Sequence, residues 1–132
     1  MINHSAQPFK VLKKYLGLGE ILDRYTILKI KMTIPEIAEH VAQAYHEWHE
    51  LVENNIDIPE KQSLIDQFTN VNWEIWRLEA RLNDKKGILS VATVADIAWR
   101  VREFNAKRVL LKAKLNRQFV TGDKSQKINY GL

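Results

Sequence analysis

The segment from Gly19 to Lys31 carries acidic, basic and hydroxyl side chains at the spacing of one helical face. Residues three and four positions apart are neighbours on a helix, so these groups would cluster along one side. Such a cluster could form ion pairs and hydrogen bonds with a ligand or with another helix. The members of this first polar stripe are Glu20, Asp23, Arg24, Thr26, Ile27 and Lys31.

Two later segments carry polar stripes of the same kind beside apolar positions. The second stripe consists of Ile65, Asn72, Trp76 and Glu79, and the third of Asn105, Arg108, Lys112 and Asn116. An arginine presents a planar fork and a lysine a point charge, so the third stripe could bind a phosphate or a carboxylate. If the stripes meet in the fold, we expect Glu20 or Asp23 to pair with Arg108 or Lys112.

The three stripes have two interpretations. In the first, they form a structural network of ion pairs and amide hydrogen bonds that fixes how the helices pack. In the second, the same groups bind an anionic small molecule. The two overlap, because a network that positions helices can also coordinate an anion. The candidate ligand-binding residues are Glu20, Asp23, Arg24, Asn72, Trp76, Glu79, Asn105, Arg108, Lys112 and Asn116.

The sequence lacks the residues and motifs that enzymes and metal sites usually contain. There is no cysteine, no glycine-rich phosphate loop and no serine in a nucleophile turn. His46 and His49 are one residue too close for the His-Glu-x-x-His arrangement of zinc proteases. Neighbouring opposite charges would keep Glu20, Asp23 and Glu79 ionised and unsuited to proton transfer. We therefore predict a non-enzymatic protein without a metal or a cofactor.

Size and composition indicate one globular domain covering residues 1–132. The chain is 45% hydrophobic and 27% charged, which suits a single core. We expect a cytoplasmic protein with no membrane span, because cysteine, a signal-like N-terminus and an apolar run of ~18 residues are all absent.

The net charge of +4 hides a segregation of charge along the chain. Residues 1–32 hold six Lys/Arg and two Asp/Glu, residues 33–82 hold three and ten, and residues 93–132 hold nine and three. If the acidic middle packs against the basic ends, or against those of a second copy, much of this charge is matched. A uniformly basic nucleic-acid-binding protein would look different.

The apolar periodicity predicts an all-α fold, an antiparallel bundle of four main helices with an N-terminal arm. The predicted helices span about 18–32, 33–55, 59–83 and 93–122. The apolar period places Leu18, Ile21, Leu22, Val52, Leu64 and Phe68 on the buried faces of the first three. Thr33 with Glu36 and Thr93 with Asp96 have the spacing of capping boxes. Residues 1–17 are expected to be an arm docked through Phe9, Val11, Leu12, Tyr15 and Leu16, and residues 123–132 a polar C-terminal tail.

The predicted fourth helix has an interrupted apolar face. This face consists of Val94, Ile97, Val101, Phe104, Leu111, Leu115 and Phe119. Arg108 occupies the step between Phe104 and Leu111 where the period requires an apolar residue. The pattern therefore places a cation at the edge of the core.

The three stripes resemble a pattern in a bacterial and phage family that is described only as a domain of unknown function. Its opening segment, Gly-Glu-Leu-Leu-Asp-Lys-x-Thr-Ile-Leu-x-Ile-Lys, is similar to residues 19–31. Its Val-Asn-x-x-x-Trp-x-x-Glu and Asn-x-x-Arg-x-x-x-Lys-x-x-x-Asn segments look like residues 71–79 and 105–116. The resemblance covers about residues 18–130, although the family's ending, an acidic stretch followed by Lys-Ser-Tyr, matches 127–130 only loosely. The resemblance implies an all-helical protein whose stripes act as one unit, and no activity.

Three classes of function remain. The first is an interaction or accessory module that associates with itself or with a protein partner, with Trp73, Trp99 or the docked arm at the interface. The second is a protein that binds a phosphate, a sugar phosphate or a nucleotide where the stripes meet. The third is nucleic-acid binding by the fourth helix, which its cations do not favour because they are spread over several faces.

Overall fold

The computed structural model describes residues 6–84 and 89–122, with side chains as far as Gln118. These ranges contain four helices and no strand, which confirms the predicted all-α bundle. The helices are α1 (Ala6–Lys31), α2 (Pro35–Asn55), α3 (Lys61–Leu82) and α4 (Val91–Gly122). The predicted polar tail, 123–132, lies outside the described residues. Within the described ranges, no helix is long and apolar enough to cross a membrane.

Helix α1 is the centre of the bundle. It contacts α2, α3 and α4, and α3 also contacts α4. Among the described helices, the backbone of α2 is close to that of α1 alone, and one ion pair, Glu53 with Lys61 at 3.3 Å, joins α2 to the start of α3. A large part of the surface of α2 is therefore left without a helical neighbour.

The core forms around Leu18, Ile21 and Leu22 of α1, which are almost completely buried. These residues belong to one cluster with Val52, Ile56, Leu64, Phe68 and Leu115, which come from the other three helices and the α2–α3 connection. Burying one side chain of this size stabilises a fold by about 1.5–3 kcal/mol. The helical period predicted every member of this set except Ile56, which follows the end of α2.

The predicted N-terminal arm is a helix from Ala6 onward, and only part of it docks. Phe9, Leu12 and Leu16 pack against the core as expected. Val11 and Tyr15, which were expected to dock as well, are 51% and 75% exposed. The expectation was wrong for Val11 and Tyr15 because their side chains lie on the side of the helix that faces away from the core.

Gly17 interrupts the path of α1. Its φ of 78° and ψ of 160° are non-helical, and this positive φ is readily adopted only by glycine. The kink lets the segment Ala6–Leu16 turn back onto the core while the following residues continue toward α4. The predicted boundary between the arm and the first helix, residues 17 and 18, falls at this kink, although the arm was not predicted to be a helix.

Both predicted capping boxes are wrong. The N-cap position of α2 is Ile34, and the hydroxyl of Thr33 donates instead to the carbonyl of Ile30, 2.6 Å away, at the end of α1. Helix α4 begins two residues before Thr93, and Ser90 Oγ accepts the backbone N–H of Thr93 at 3.1 Å. The side-chain cap of α4 is thus supplied by Ser90.

Helix α4 buries only Ile97 and Leu115 of its predicted apolar face. Val101, Phe104 and Leu111 are half-buried. Val94 is 40% exposed, because this end of the helix extends past its neighbours, and the side chain of Phe119 lies outside the described residues. The narrow buried face leaves most of α4 open to solvent.

Candidate functional site

Asp23 of α1 and Arg108 of α4 form the centre of the site. The Asp23 side chain is fully buried, and that of Arg108 is 26% exposed. The guanidinium donates from Nε to both carboxylate oxygens, at 2.8 and 3.0 Å, and from Nη2 to Oδ2 at 2.6 Å. A forked pair of this kind is stronger than a single-contact ion pair. Arg108 interrupts the apolar face of α4 because a buried acid lies opposite it.

Asn72 of α3 joins this pair to Thr26 of α1. Its Nδ2 donates to Asp23 Oδ1 at 2.9 Å and to Thr26 Oγ1 at 3.0 Å. The Thr26 hydroxyl in turn donates to the Asp23 backbone carbonyl at 2.8 Å. All three side chains are buried, so each of these bonds is shielded from competing water.

A second, more exposed pair lies one helical turn away. Lys112 of α4 donates to Glu20 Oε2 at 3.0 Å, and Arg24 donates to Glu20 Oε1 at 3.0 Å. The ammonium of Lys112 is also 3.9 Å from Asp23 Oδ2, which connects the two pairs. We call the connected set the polar seam; its members are Glu20, Asp23, Thr26, Asn72, Arg108 and Lys112.

The polar seam depends on a very close approach of α1 to α4. A Cβ atom placed on Gly19 would lie 2.5 Å from the backbone oxygen and 2.7 Å from the Cα of Lys112. The Gly19 backbone N–H also donates to Asn116 Oδ1 at 2.7 Å. Asn116 therefore binds the backbone beside the kink at Gly17, and the missing side chain of Gly19 lets the two helices touch.

The charges of the polar seam stabilise one another. Hydrogen bonds to Asp23 raise the pKa of Arg108 above its ordinary value despite burial, with smaller contributions from Glu20 and Glu79. Burial alone would raise the pKa of Glu20, but the hydrogen bonds from Lys112 and Arg24 outweigh it and bring the pKa below 4.5. Arg108 stays charged at any physiological pH, and Glu20 stays ionised at neutral pH.

The polar seam matches the structural interpretation of the three stripes. In the described part of the chain, no fully buried side-chain nitrogen or oxygen lacks a hydrogen-bond partner. The two cations that the sequence offered to an anion, Arg108 and Lys112, are both held by carboxylates of α1, as the spacing predicted. Their binding of a ligand stays a prediction.

Five of the ten predicted site residues are not members of the polar seam. Arg24 is bonded to Glu20 at its exposed edge, and Asn116 binds the Gly19 backbone. Trp76 and Glu79 line a neighbouring cavity together with Asn72 and Arg108. Asn105 is half-buried and makes no side-chain hydrogen bond with the described residues. The three stripes therefore lie close together in the fold, but some of their residues are not bonded to the others.

The cavity lies between α1, α3 and α4 and has a volume of about 220 Å³. Its apolar wall includes Ile27, Ile30 and Ile75, and its polar groups include Lys31 from the last turn of α1. Lys31 had been placed in the first stripe but not among the candidate ligand-binding residues. Its role was missed because a cavity depends on the spacing between helices, which a periodic pattern does not contain.

A second polar contact missed from the sequence joins α1 to α2. The Tyr25 hydroxyl and His49 Nδ1 share a hydrogen bond of 2.8 Å, and the Tyr25 and Tyr45 rings stack with centroids 6.0 Å apart. Burial and the neighbouring Tyr45 raise the pKa of Tyr25, so its phenol stays protonated. Across residues 6–84 and 89–118, no three His, Cys, Asp or Glu side chains are grouped as a metal site requires.

Comparison with known proteins assigns a family. A model described as a family of unknown function (DUF6165) matches residues 12–129. No curated protein and no solved structure matches the chain. The match includes the helices that carry all three stripes, and therefore every residue of the polar seam. The chain belongs to this family of unknown function.

Proposed function

We propose that the protein is a self-associating interaction module in which the acidic helix α2 of one copy docks on the basic face of α3 and α4 of another. One observation carries the proposal. Each copy has an acidic helix with a single helical neighbour and, on a different side, an apolar groove edged by lysines. The two surfaces are complementary in charge, and within one copy the backbone of α2 is close to neither α3 nor α4.

The receiving surface is a shallow groove between α3 and α4 with a volume of about 320 Å³. Leu110, Leu111 and Val71 form its apolar floor, and Lys107 and Lys114 lie at its edge. Leu110 is 67% exposed, so the groove leaves apolar surface in contact with solvent. An amphipathic helix could cover this groove with its apolar side and meet the lysines with carboxylates.

The outer face of α4 extends this surface. Trp99 and Val109 are 60% and 58% exposed on the same helix. Ala106 and Ala113 are also exposed on this helix, and their small side chains would let a partner helix approach closely. An exposed tryptophan is typical of the residues that anchor an interface.

Helix α2 fits this surface. It contains five glutamates and no lysine or arginine. The carboxylates of Glu36, Glu39 and Glu50 make no ion pair with any described residue, and all three are exposed. Trp48 is two residues from Glu50 and packs against the core on the opposite side of the helix. The outer face of α2 therefore offers carboxylates that no described cation pairs with.

Light scattering at several protein concentrations tests the proposal. We expect an oligomer that dissociates as salt is raised, because exposed opposite charges attract less when they are screened. Leu110→Glu should produce a monomer. Val91→Glu is the matched control, because it places the same charge at an exposed apolar position of α4 that lies outside the groove, and it should weaken association much less.

A charge exchange tests the identity of the docking helix. Lys107→Glu with Lys114→Glu should abolish association, as should Glu39→Lys with Glu50→Lys. The chain with all four substitutions should associate again, because the complementary charges are restored in reversed order.

Three outcomes would contradict self-association through this surface. They are a strict monomer at every concentration, association that Leu110→Glu leaves intact, and failure of the fourfold variant to recover. Binding of DNA or RNA that is lost on Lys107→Glu but kept on Leu110→Glu would favour the nucleic-acid alternative. Capture of an acidic helix from another protein, with the purified chain monomeric, would favour a different partner at the same groove.

A further inference from the structure

The cavity between α1, α3 and α4 is lined by charged residues that the ion pairs of the fold do not use. Lys31 and Glu79 both line it, and neither makes an ion pair or a side-chain hydrogen bond with the described residues. The remaining charge in its wall is Arg108, which is paired with Asp23 and is also stabilised by the charge of Glu79. One cation and one anion without an ion-pair partner among the described residues therefore line the same half-open cavity.

The other polar groups of the cavity are held in fixed positions. Arg108 is bound to Asp23 through Nε and Nη2, so its orientation is set, and Nη1 takes part in none of these bonds. Asn72 donates from Nδ2 to two partners, while its Oδ1 accepts no described bond. Because no fully buried side-chain oxygen lacks a partner, this oxygen is open to the cavity that Asn72 lines.

We propose that the cavity binds a small zwitterion with an apolar side chain, a free α-amino acid. The carboxylate lies between Lys31 and the free edge of Arg108, and the ammonium lies between Glu79 and the Asn72 carbonyl. Lys31 and Arg108 are donors to the carboxylate, and Glu79 and the Asn72 carbonyl are acceptors from the ammonium, so each of the four groups binds the ligand as its chemistry allows.

The apolar part of the cavity fits the side chain of such a ligand. Ile27, Ile30 and Ile75 form one wall, and Trp76 adds an aromatic surface. An apolar cavity of about 150 Å³ can hold a benzene molecule. The 220 Å³ observed here has room for a branched or aromatic side chain together with the charged groups.

The balance of charge favours a zwitterion over a phosphate. Counting Asp23, the cations and anions around the cavity are equal in number, since Lys31 and Arg108 are matched by Glu79 and Asp23. A dianion would bring its charge close to Glu79, while a neutral zwitterion leaves no charge unmatched. The sugar phosphates and nucleotides that the sequence suggested therefore fit this cavity less well.

Calorimetric titration with three molecules that share the same branched apolar group tests the proposal. L-leucine has both charges, 4-methylpentanoate lacks the ammonium, and 3-methylbutylamine lacks the carboxylate. We expect L-leucine to bind at least about tenfold more tightly than either of the others, because each lost charge-assisted hydrogen bond leaves a protein group unmatched. L-phenylalanine and glycine then report how much the apolar wall contributes.

Two pairs of variants connect the binding to the cavity. Lys31→Gln and Glu79→Gln should each weaken L-leucine binding at least about tenfold. Lys29→Gln and Glu74→Gln are the matched controls, because they make the same changes on the same helices outside the cavity, and they should leave binding unchanged. All four positions are at the surface, so circular dichroism should show the same helix content as the unchanged chain.

Any of four results would overturn the proposal. They are no heat of binding with L-leucine or L-phenylalanine, equal binding of the three leucine analogues, L-leucine binding that survives both Lys31→Gln and Glu79→Gln, and tighter binding of glucose 6-phosphate than of any amino acid. The test does not depend on self-association, because the groove and the cavity share no lining residue.

Discussion

Replacing Arg108 with alanine should destabilise the fold far more than replacing any exposed arginine. Asp23 is fully buried, so it cannot recover solvation when its partner is removed. Its remaining polar neighbours are Asn72 at 2.9 Å and the ammonium of Lys112 at 3.9 Å, and neither provides a fork of hydrogen bonds. Removing one partner of a buried ion pair typically costs about 3–5 kcal/mol, so we expect a loss of about this size.

Arg100→Ala is the matched control on the same helix. Arg100 pairs with Asp96 one turn away, but both side chains are about 60% exposed. Exposed pairs at this spacing contribute about 0.3–0.5 kcal/mol. The two variants remove the same side chain from the same helix, so their difference isolates the burial of the acid that each one faces.

The two partners of the buried pair should also differ from each other. Asp23→Asn leaves the charge on Arg108, which is 26% exposed and can reach water. Arg108→Ala leaves the charge on Asp23, which cannot. We therefore expect Asp23→Asn to cost less, and the double variant to lose less stability than the two single losses added together.

Urea unfolding followed by circular dichroism measures these differences. A loss of about 3 kcal/mol lowers the midpoint by about 1 to 3 M for a domain whose m-value is about 1–3 kcal/mol/M. Protein concentration must be held constant, because self-association would add to the apparent stability. If Arg108→Ala costs no more than Arg100→Ala, the buried pair is not the contact that holds α1 to α4.

Other variants probe the contacts around the polar seam. Gly19→Ala should cost about 3 kcal/mol in urea unfolding, since its Cβ would press on the Lys112 backbone, and a loss below about 1 kcal/mol would mean that the helices separate easily. The unchanged chain should be more stable than Glu20→Gln at neutral pH. The pKa of Glu20 is lower in the folded chain than its ordinary value, so this advantage should be lost as the pH falls through the folded pKa. Unfolding curves at a series of pH values measure it, and a pH-independent difference would argue against the ion pairs. Ser90→Ala should cost about 1 kcal/mol by removing the hydrogen bond to the Thr93 N–H, and an unchanged midpoint would show that another group caps α4.

Helical periodicity was enough to predict the buried faces and the ion pairs between them. The apolar period placed Leu64, Phe68 and Leu115 in the core, since a residue on the inner side of a helix is buried whichever helix covers it. The break in this period at Arg108 pointed to an acid on a neighbouring helix. Two candidates were available, Glu20 and Asp23, and the structure shows that Asp23 faces Arg108 directly.

Features that depend on a single local conformation could not be predicted in the same way. The Thr33 hydroxyl can bond forward to cap a new helix or backward to the preceding turn, and the residues nearby allow both. The structure shows the backward bond, to Ile30. The kink at Gly17 required a positive φ that glycine permits but does not demand.

The cavity could not be predicted because it is defined by distances between helices. Lys31 and Glu79 belong to different stripes, and nothing in their spacing along the chain indicates that they line one space. The contact of Gly19 with the Lys112 backbone brings α1 and α4 together at one end of the polar seam. Lys31 lies twelve residues further along α1, where the cavity opens between the helices.

The central position of α1 has a consequence for synthesis on the ribosome. Asp23 is made 85 residues before Arg108, and Gly19 is made 97 residues before Asn116. At about 5–20 residues per second, Asp23 waits roughly 4 to 17 seconds for its partner. During that time α1 can pack only against α2 and then α3, so the side of α1 that later binds α4 stays uncovered. This side holds Gly19 and Asp23, so the acid that is fully buried in the finished fold stays in contact with water until α4 has been made.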